Sequence, residues 1–250
     1  MSDVQPFLAS RFEAGDEVPV LVWRFDPPVL AISSGPLGGG IGVRNWALNA
    51  TVPMSYDRDD PDVHLNELAA SLGLGDGPGV GLLTGLDVGR RVGAADGGVS
   101  VTATVGLGLP CWAAAPDPDR GGGAAGDCAA GDRGGPRPVP RQPVGTINIV
   151  ARVPVRLSPG ALVNAVATIT EAKAQAIWRA GIEATGTCTD AVCVVCPAEG
   201  PAEPYCGPRS VWGARLARAA HAAVLDGARA WQAEPAAWSG SAQSPGRSAD

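Results

Sequence analysis

The chain has 250 residues, of which 45% are hydrophobic and 18% charged, and a formal net charge of −6. That balance describes an ordinary globular chain with ample apolar material for a core, organised as one large domain or two small ones. An acidic chain with no basic run and few aromatics argues against a nucleic-acid binder, whose affinity needs clustered lysine and arginine.

No apolar run approaches the ~20 residues that a membrane span requires. The opening MSDVQPFLASRFEAGDE carries acids and no apolar h-region, so no secretory signal is expected. The expected location is the cytoplasm, where the cysteines would stay reduced.

Residues 1–16 read as a flexible lead-in. EVPVLVWRF (17–25) and PPVLAISS (27–34) are β-rich runs joined by Asp26-Pro27-Pro28, a hairpin-like arrangement. The segment SSGPLGGGIG (33–42) holds five glycines and one proline and reads as a loop. It lacks the Lys-Ser/Thr of a phosphate loop and the G-x-G-x-x-G spacing, yet its backbone, with Ser33, Ser34, Gly38, Gly39 and Gly40, could line a pocket. The next run alternates as a strand, with Val43, Asn45, Ala47 and Asn49 on one face and Arg44, Trp46, Leu48 and Ala50 on the other.

DDPDVHLNELAASLGL (59–74) predicts a helix with Asp60 as N-cap, Pro61 at the first helical position and Gly73 as stop. His64 follows three aspartates there, but acids in a first turn are ordinary partners of the helix dipole. GPGVGLLTGLDV (77–88) and GGVSVTATVGLG (97–108) are glycine-punctuated strands, with glycines suited to close backbone approach. Residues 115–143 hold seven glycines and six prolines and predict a disordered insertion within one domain spanning 17–232.

The organising stretch is 145–190. GTINIVARVPVRL is an extended β-branched run, and Ser158-Pro159 starts a helix that runs to about Ala180 and stops at Gly181. On its wheel Leu162, Val166, Ile169 and Ile177 share a face with Lys173. A lysine in an apolar stripe either snorkels to the edge or is held for charge chemistry. Glu171 falls with Asn164, Thr168 and Gln175 on a polar stripe, which is ordinarily solvated, so a role for it is conditional on burial. ATGTCTD (184–190) then packs Thr185, Thr187, Thr189 and Asp190 into one turn. Such residues form structural turns, but three hydroxyls and an acid exceed what a turn needs. The strand AVCVVCP, a final helix from Pro208 to Trp231 and a disordered tail at 233–250 complete the chain. His221, on the final helix, is expected to be exposed.

Cys188, Cys193, Cys196 and Cys206 superficially match an iron–sulfur spacing. Residues three apart on a strand point to opposite faces, however, and a free cysteine also behaves as a small buried hydrophobe. Cys188 in the hydroxyl turn is the better nucleophile candidate of these, although no histidine stands near it in sequence. The pattern of strands before helices predicts an α+β fold with a mixed or mostly antiparallel sheet covered by helices.

The segments ISSGPLGGGIGVRNWALN, DDPDVHL, GVGLLTGLDV, TATVGLGLPCWA, GTINIV, ITEAKAQAI and ATGTCTDAV occur in this order. Together they resemble the adenosylcobinamide amidohydrolase family of corrinoid salvage, over residues 18–231 apart from the insertion. Two features depart from that family: Cys188 stands where a small residue is expected, and the insertion is unfamiliar.

The resemblance implies hydrolysis of the amide joining the aminopropanol arm to the corrin ring, giving adenosylcobyric acid. It implies a corrinoid as substrate and no resident cofactor or metal. Partners would be the small-molecule substrate, with a homo-oligomer allowed and no nucleic acid or membrane. Within this reading Asp190 or Glu171 is the base, Thr185, Thr187 and Thr189 orient water, bind the oxyanion or supply a nucleophile, and Lys173 stabilises charge. Asn45, Asn49, Asn148 and Thr146, with the serine/glycine loop, would bind the substrate. A non-catalytic corrinoid carrier and a cysteine-ligated metal or iron–sulfur redox protein are the alternatives.

Overall fold

The computed structural model describes residues 5–13, 15–115 and 145–235. The insertion and the tail therefore lie outside the described residues, apart from their edges. What is described forms a mixed α+β domain built on one eight-stranded sheet, in the order β4-β3-β2-β10-β8-β6-β5 with β1 beside β2. The strands are β1 (Phe7–Glu13), β2 (Asp16–Ser33), β3 (Gly40–Thr51), β4 (Gly79–Thr84), β5 (Val92–Asp96), β6 (Val99–Val105), β8 (Ile147–Arg152) and β10 (Ala191–Pro197). A separate small ribbon pairs β7 (Pro110–Cys111) with β9 (Gly186–Thr187). The helices are α1 (Pro61–Ser71), α2 (Pro159–Arg179) and α3 (Val211–Ala233).

Most neighbouring strands are antiparallel, but β3 with β4 and β8 with β10 are parallel. A parallel pair needs a crossover, and α2 supplies it between β8 and β10. Ser158 caps α2 by accepting from Ala161 N at 3.1 Å, Pro159 opens it, and Gly181 follows at φ 80°. These are the predicted start and stop.

Strand alternation decides what each face packs against. Ile147, Ile149 and Ala151 of β8, with Val192, Val194 and Cys196 of β10, join α2 and α3 in the largest core. Leu48 and Ala50 of β3 pack with Leu65, Leu68 and Ala69 of α1. The opposite faces of these strands meet each other: Leu21, Trp23, Ala47 and Leu82 share a core with Val150, Cys193 and Val195. The sheet therefore curls upon itself, which sheet twist permits. Side chains on β3 and β6, four places apart in strand order, hydrogen-bond across its inner face: Asn49 Nδ2 donates to Thr104 Oγ1 at 3.0 Å.

Four expectations change. The two β-rich runs at 17–34 are one strand and no hairpin, with a register irregularity between Arg24 and Val29. Prolines cannot donate to a ladder, so Pro27 and Pro28 sit exposed at that irregularity while pairing resumes beyond them. Residues 7–13 of the lead-in form β1, paired to Asp16–Val22; weak alternation in FLASRFE conceals a strand whose support comes from its neighbour. Asp60 stands at the α1 N-cap position without a side-chain cap, because its carboxylate binds Arg58 instead. His221 is half-buried, its ring covered where α3 packs on the fold.

Candidate active site

The parallel pairing of β8 and β10 brings two strand beginnings together. Gly145 and Thr146 lead into one, Thr189 and Asp190 into the other, and Ala191 lies in register with Asn148. α2 delivers Lys173 to the same place, since its stripe of Leu162, Ile169 and Ile177 is buried and carries the lysine with it. The lysine does not snorkel: it is 8% exposed and forms an ion pair with Asp190.

Asp190 is the hub. Its Oδ1 accepts from Thr187 Oγ1 at 2.5 Å and from Ile147 N at 3.0 Å. Its Oδ2 accepts from Thr187 N at 3.1 Å and from the Lys173 ammonium. One carboxylate thus ties together α2, β8 and the threonine turn with charge-assisted bonds. Gly186 is required beside it, since a Cβ there would come within 2.5 Å of Lys173 Nζ and also strike Asp190.

Beside this hub lies a cavity of about 320 Å³ lined by Thr146, Asn148, Thr189, Thr84, Tyr56 and Leu83, with neighbouring apolar residues. Thr146 and Thr189 hydroxyls are 2.7 Å apart in its wall, and Thr189 also donates to Gly145 O at 3.3 Å. Tyr56 is held by His64, whose Nδ1 lies 3.0 Å from the phenol and whose ring stacks on it. Burial raises the tyrosine above its usual range and lowers the histidine, so both are neutral partners near pH 7.

The remaining sequence candidates take different places. Thr187 and Thr189 join the site, whereas Thr185 braces the β7–β9 ribbon, accepting from Ala113 N at 2.8 Å and donating to Cys111 O at 3.3 Å. Glu171 is exposed on α2 and outside the cluster, because helical spacing turns it away from the face that carries Lys173; its conditional role is withdrawn. Asn148 lines the cavity, and Asn49 stands behind it, bonded to it at 2.8 Å. Asn45 lies one strand end away, beside Gly77.

The serine/glycine loop packs on protein. Ser33 accepts from Gly35 N and Ser34 from Val192 N. A Cβ on Gly38 would strike the Gly79 backbone, and one on Gly39 would come within 2.9 Å of Gly35 O. Gly40 turns at φ 82° into β3. Of the whole loop, Pro36 reaches the cavity.

Sequence reasoning passed over Thr84, Thr104, Tyr56 and the Leu83 carbonyl. Tyr56 follows Pro53-Met54-Ser55 in an unpatterned connection that carries no local signal, whereas the threonines at alternating strand positions were visible as polar residues on apolar strands.

The cysteines are dispersed. Cys193 and Cys196 face opposite cores, so they do not converge on one ion. Burial pushes the Cys193 thiol up to about 12 and Cys206 up to about 11. Cys188 is exposed and disulfide-bonded; it offers no free thiol as nucleophile and departs from the expectation of reduced cysteines. No described helix is long and apolar enough to cross a membrane.

A family model described as adenosylcobinamide amidohydrolase matches residues 6–236. A Halobacterium salinarum protein named adenosylcobinamide amidohydrolase is 36% identical over 197 residues, covering 77% of this chain and 75% of its own. A Methanosarcina mazei protein of the same name is 28% identical over 198 residues, covering 76% and 84%. With the match running from β1 through α3 and so including every element of the site, the chain belongs to the adenosylcobinamide amidohydrolase family.

Proposed function

We propose that the protein hydrolyses the amide linking the aminopropanol arm to the corrin ring of adenosylcobinamide, giving adenosylcobyric acid and the free amino alcohol. The observation that carries this reading is the hydroxyl-lined cavity set against a buried Lys173–Asp190 pair, in a chain of this family. A cavity of about 320 Å³ takes a short arm and leaves the corrin ring outside.

Amide hydrolysis requires an activated oxygen, donors for the developing oxyanion and a proton for the leaving amine. Thr146 and Thr189 present paired hydroxyls at the cavity wall. Thr189 gives up its long 3.3 Å bond to Gly145 O to donate to the oxyanion while Thr146 donates to Thr189. Asp190 is the proton acceptor, with the Thr187 hydroxyl, 2.5 Å from Oδ1, passing its proton inward as it takes one from the attacking water. The Lys173 ammonium offsets the negative charge that develops. The proton gained by Asp190 returns to the leaving nitrogen, so the turn ends as it began. The reading needs no resident cofactor or metal; the corrinoid cobalt belongs to the substrate. On this reading the enzyme serves corrinoid salvage, and the cytoplasm is its proposed location.

The test is incubation of pure protein with adenosylcobinamide, followed by chromatography for adenosylcobyric acid. Product from the wild type and none from Asp190→Asn is the expected result. Unaltered substrate that co-elutes with wild-type protein would make it a corrinoid carrier instead. That second reading draws on the two donors already bound to each Asp190 oxygen, an arrangement that also suits a purely structural anion.

A further inference from the structure

Asn148 is 2% exposed and stands in the cavity wall. Its Nδ2 uses both hydrogens, one on Asn49 Oδ1 and one on Leu83 O, each at 2.8 Å. Its Oδ1 is buried and has no partner. A buried acceptor without a donor is costly and calls for a reason.

The amide cannot relieve this by turning over. Leu83 O is a backbone carbonyl and only accepts, so a flipped Asn148 would set oxygen against oxygen. Asn49 is held the same way round, because its Oδ1 accepts from the Asn148 Nδ2 so placed, which leaves its own Nδ2 to donate to Thr104 Oγ1 at 3.0 Å. The network therefore assigns the orientation: the unpartnered atom of Asn148, a residue of the cavity wall, is an acceptor. Thr146 lies two residues earlier along the same chain direction, on the same face, about 6.6 Å away. Its hydroxyl pairs with that of Thr189.

We infer that Asn148 Oδ1 accepts the N–H of the amide that is cut, selecting a secondary amide and aiming its carbonyl at the Thr146–Thr189 hydroxyls. In a planar trans amide the N–H and C=O point in opposite directions, so an acceptor and a donor spaced along one strand read both ends of it. Asn49 and Thr104 are positioning residues: they touch Asn148 and not the ligand. This inference rests on the hydrolase reading above and names what the cavity recognises within it.

The test uses an adenosylcobinamide analogue with CH2 in place of the arm amide N–H. This ketone keeps the carbonyl and the shape, is not cleaved, and has no donor for Asn148. For the wild type its inhibition constant should exceed the KM of adenosylcobinamide by about tenfold, the worth of one buried hydrogen bond. Asn148→Leu should raise that KM by a similar factor and leave the ketone's inhibition constant unchanged, whereas a merely structural defect would raise both. If Asn148→Leu does not fold, the wild-type comparison decides alone. Cleavage of adenosylcobinamide with equal constants for amide and ketone overturns the role of Asn148 and leaves the hydrolase reading standing. Absence of both binding and cleavage overturns the two together.

Discussion

Lys173 and Asp190, 17 residues apart, meet as a buried ion pair whose side chains are 10% and 11% exposed. The lysine arrives on a helix and the aspartate directly before the strand that follows it, so the pair closes the β8–α2–β10 crossover. Paired charges in such a place are retained only if their remaining hydrogen-bonding capacity is met. Here Thr187 and Ile147 meet it for the carboxylate.

Removing one partner should therefore separate stability from chemistry. Asp190→Asn strands the Lys173 ammonium and is expected to cost about 3–5 kcal/mol. Lys173→Met leaves Asp190 with three of its four donors and should cost about 1–3 kcal/mol, while activity falls as far as in Asp190→Asn. Urea denaturation of each variant, beside product formation under native conditions, checks both statements.

Two glycine substitutions should behave oppositely. Gly186→Ala puts a methyl against Lys173 and Asp190 and should reduce turnover at least tenfold by displacing the pair. Gly160→Ala, in the first turn of α2, meets nothing within 4 Å and should stabilise by up to about 1 kcal/mol, with activity unchanged. Thermal unfolding and initial rates measured together decide the contrast.

His64 makes the fold acid-sensitive. Burial lowers it from 6.5, so the unfolded chain takes up the proton first as pH falls. The stabilisation is full above about pH 6.5 and is lost as pH drops below that value toward the folded one. His221 is shifted in the same direction. His64→Phe should therefore remove part of the decline in stability between about pH 7.5 and pH 5, as measured by urea midpoints, and leave a residue that His221→Phe removes.

The four free cysteines among the described residues should label unequally. Cys193, Cys196 and Cys206 are fully buried, whereas Cys111 is half-buried at the β7–β9 ribbon. Burial and the nearby Asp190 carboxylate raise the Cys111 thiol, so it too reacts slowly. Iodoacetamide at neutral pH should modify Cys111 first among these four, by peptide mass spectrometry. Comparable labelling of Cys193 in native protein would contradict the packing described.

Much of the local architecture could be read from the chain. Ser158-Pro159 starts α2 where expected because a hydroxyl N-cap and a proline at the first helical position are local devices. The opposed faces of Cys193 and Cys196 follow from strand periodicity alone. The strand at 7–13 and the unbroken run through Pro27-Pro28 were not visible, because each depends on a neighbouring strand that holds it in place.

By itself the sequence determined the family, the α+β class, the course of α2, and the gathering of threonines and an acid into one turn. All of these depend on contacts between residues close along the chain, or on the order of motifs. Only the tertiary structure decided that Lys173 is held by Asp190 and that Asn148, in the cavity wall, keeps a buried acceptor without a partner. The Asn148 network requires hydrogen bonds near 3 Å between residues 55 and 99 positions apart. Strand alternation assigns a side chain to a face, but the curl of the sheet settles which side chains on that face meet.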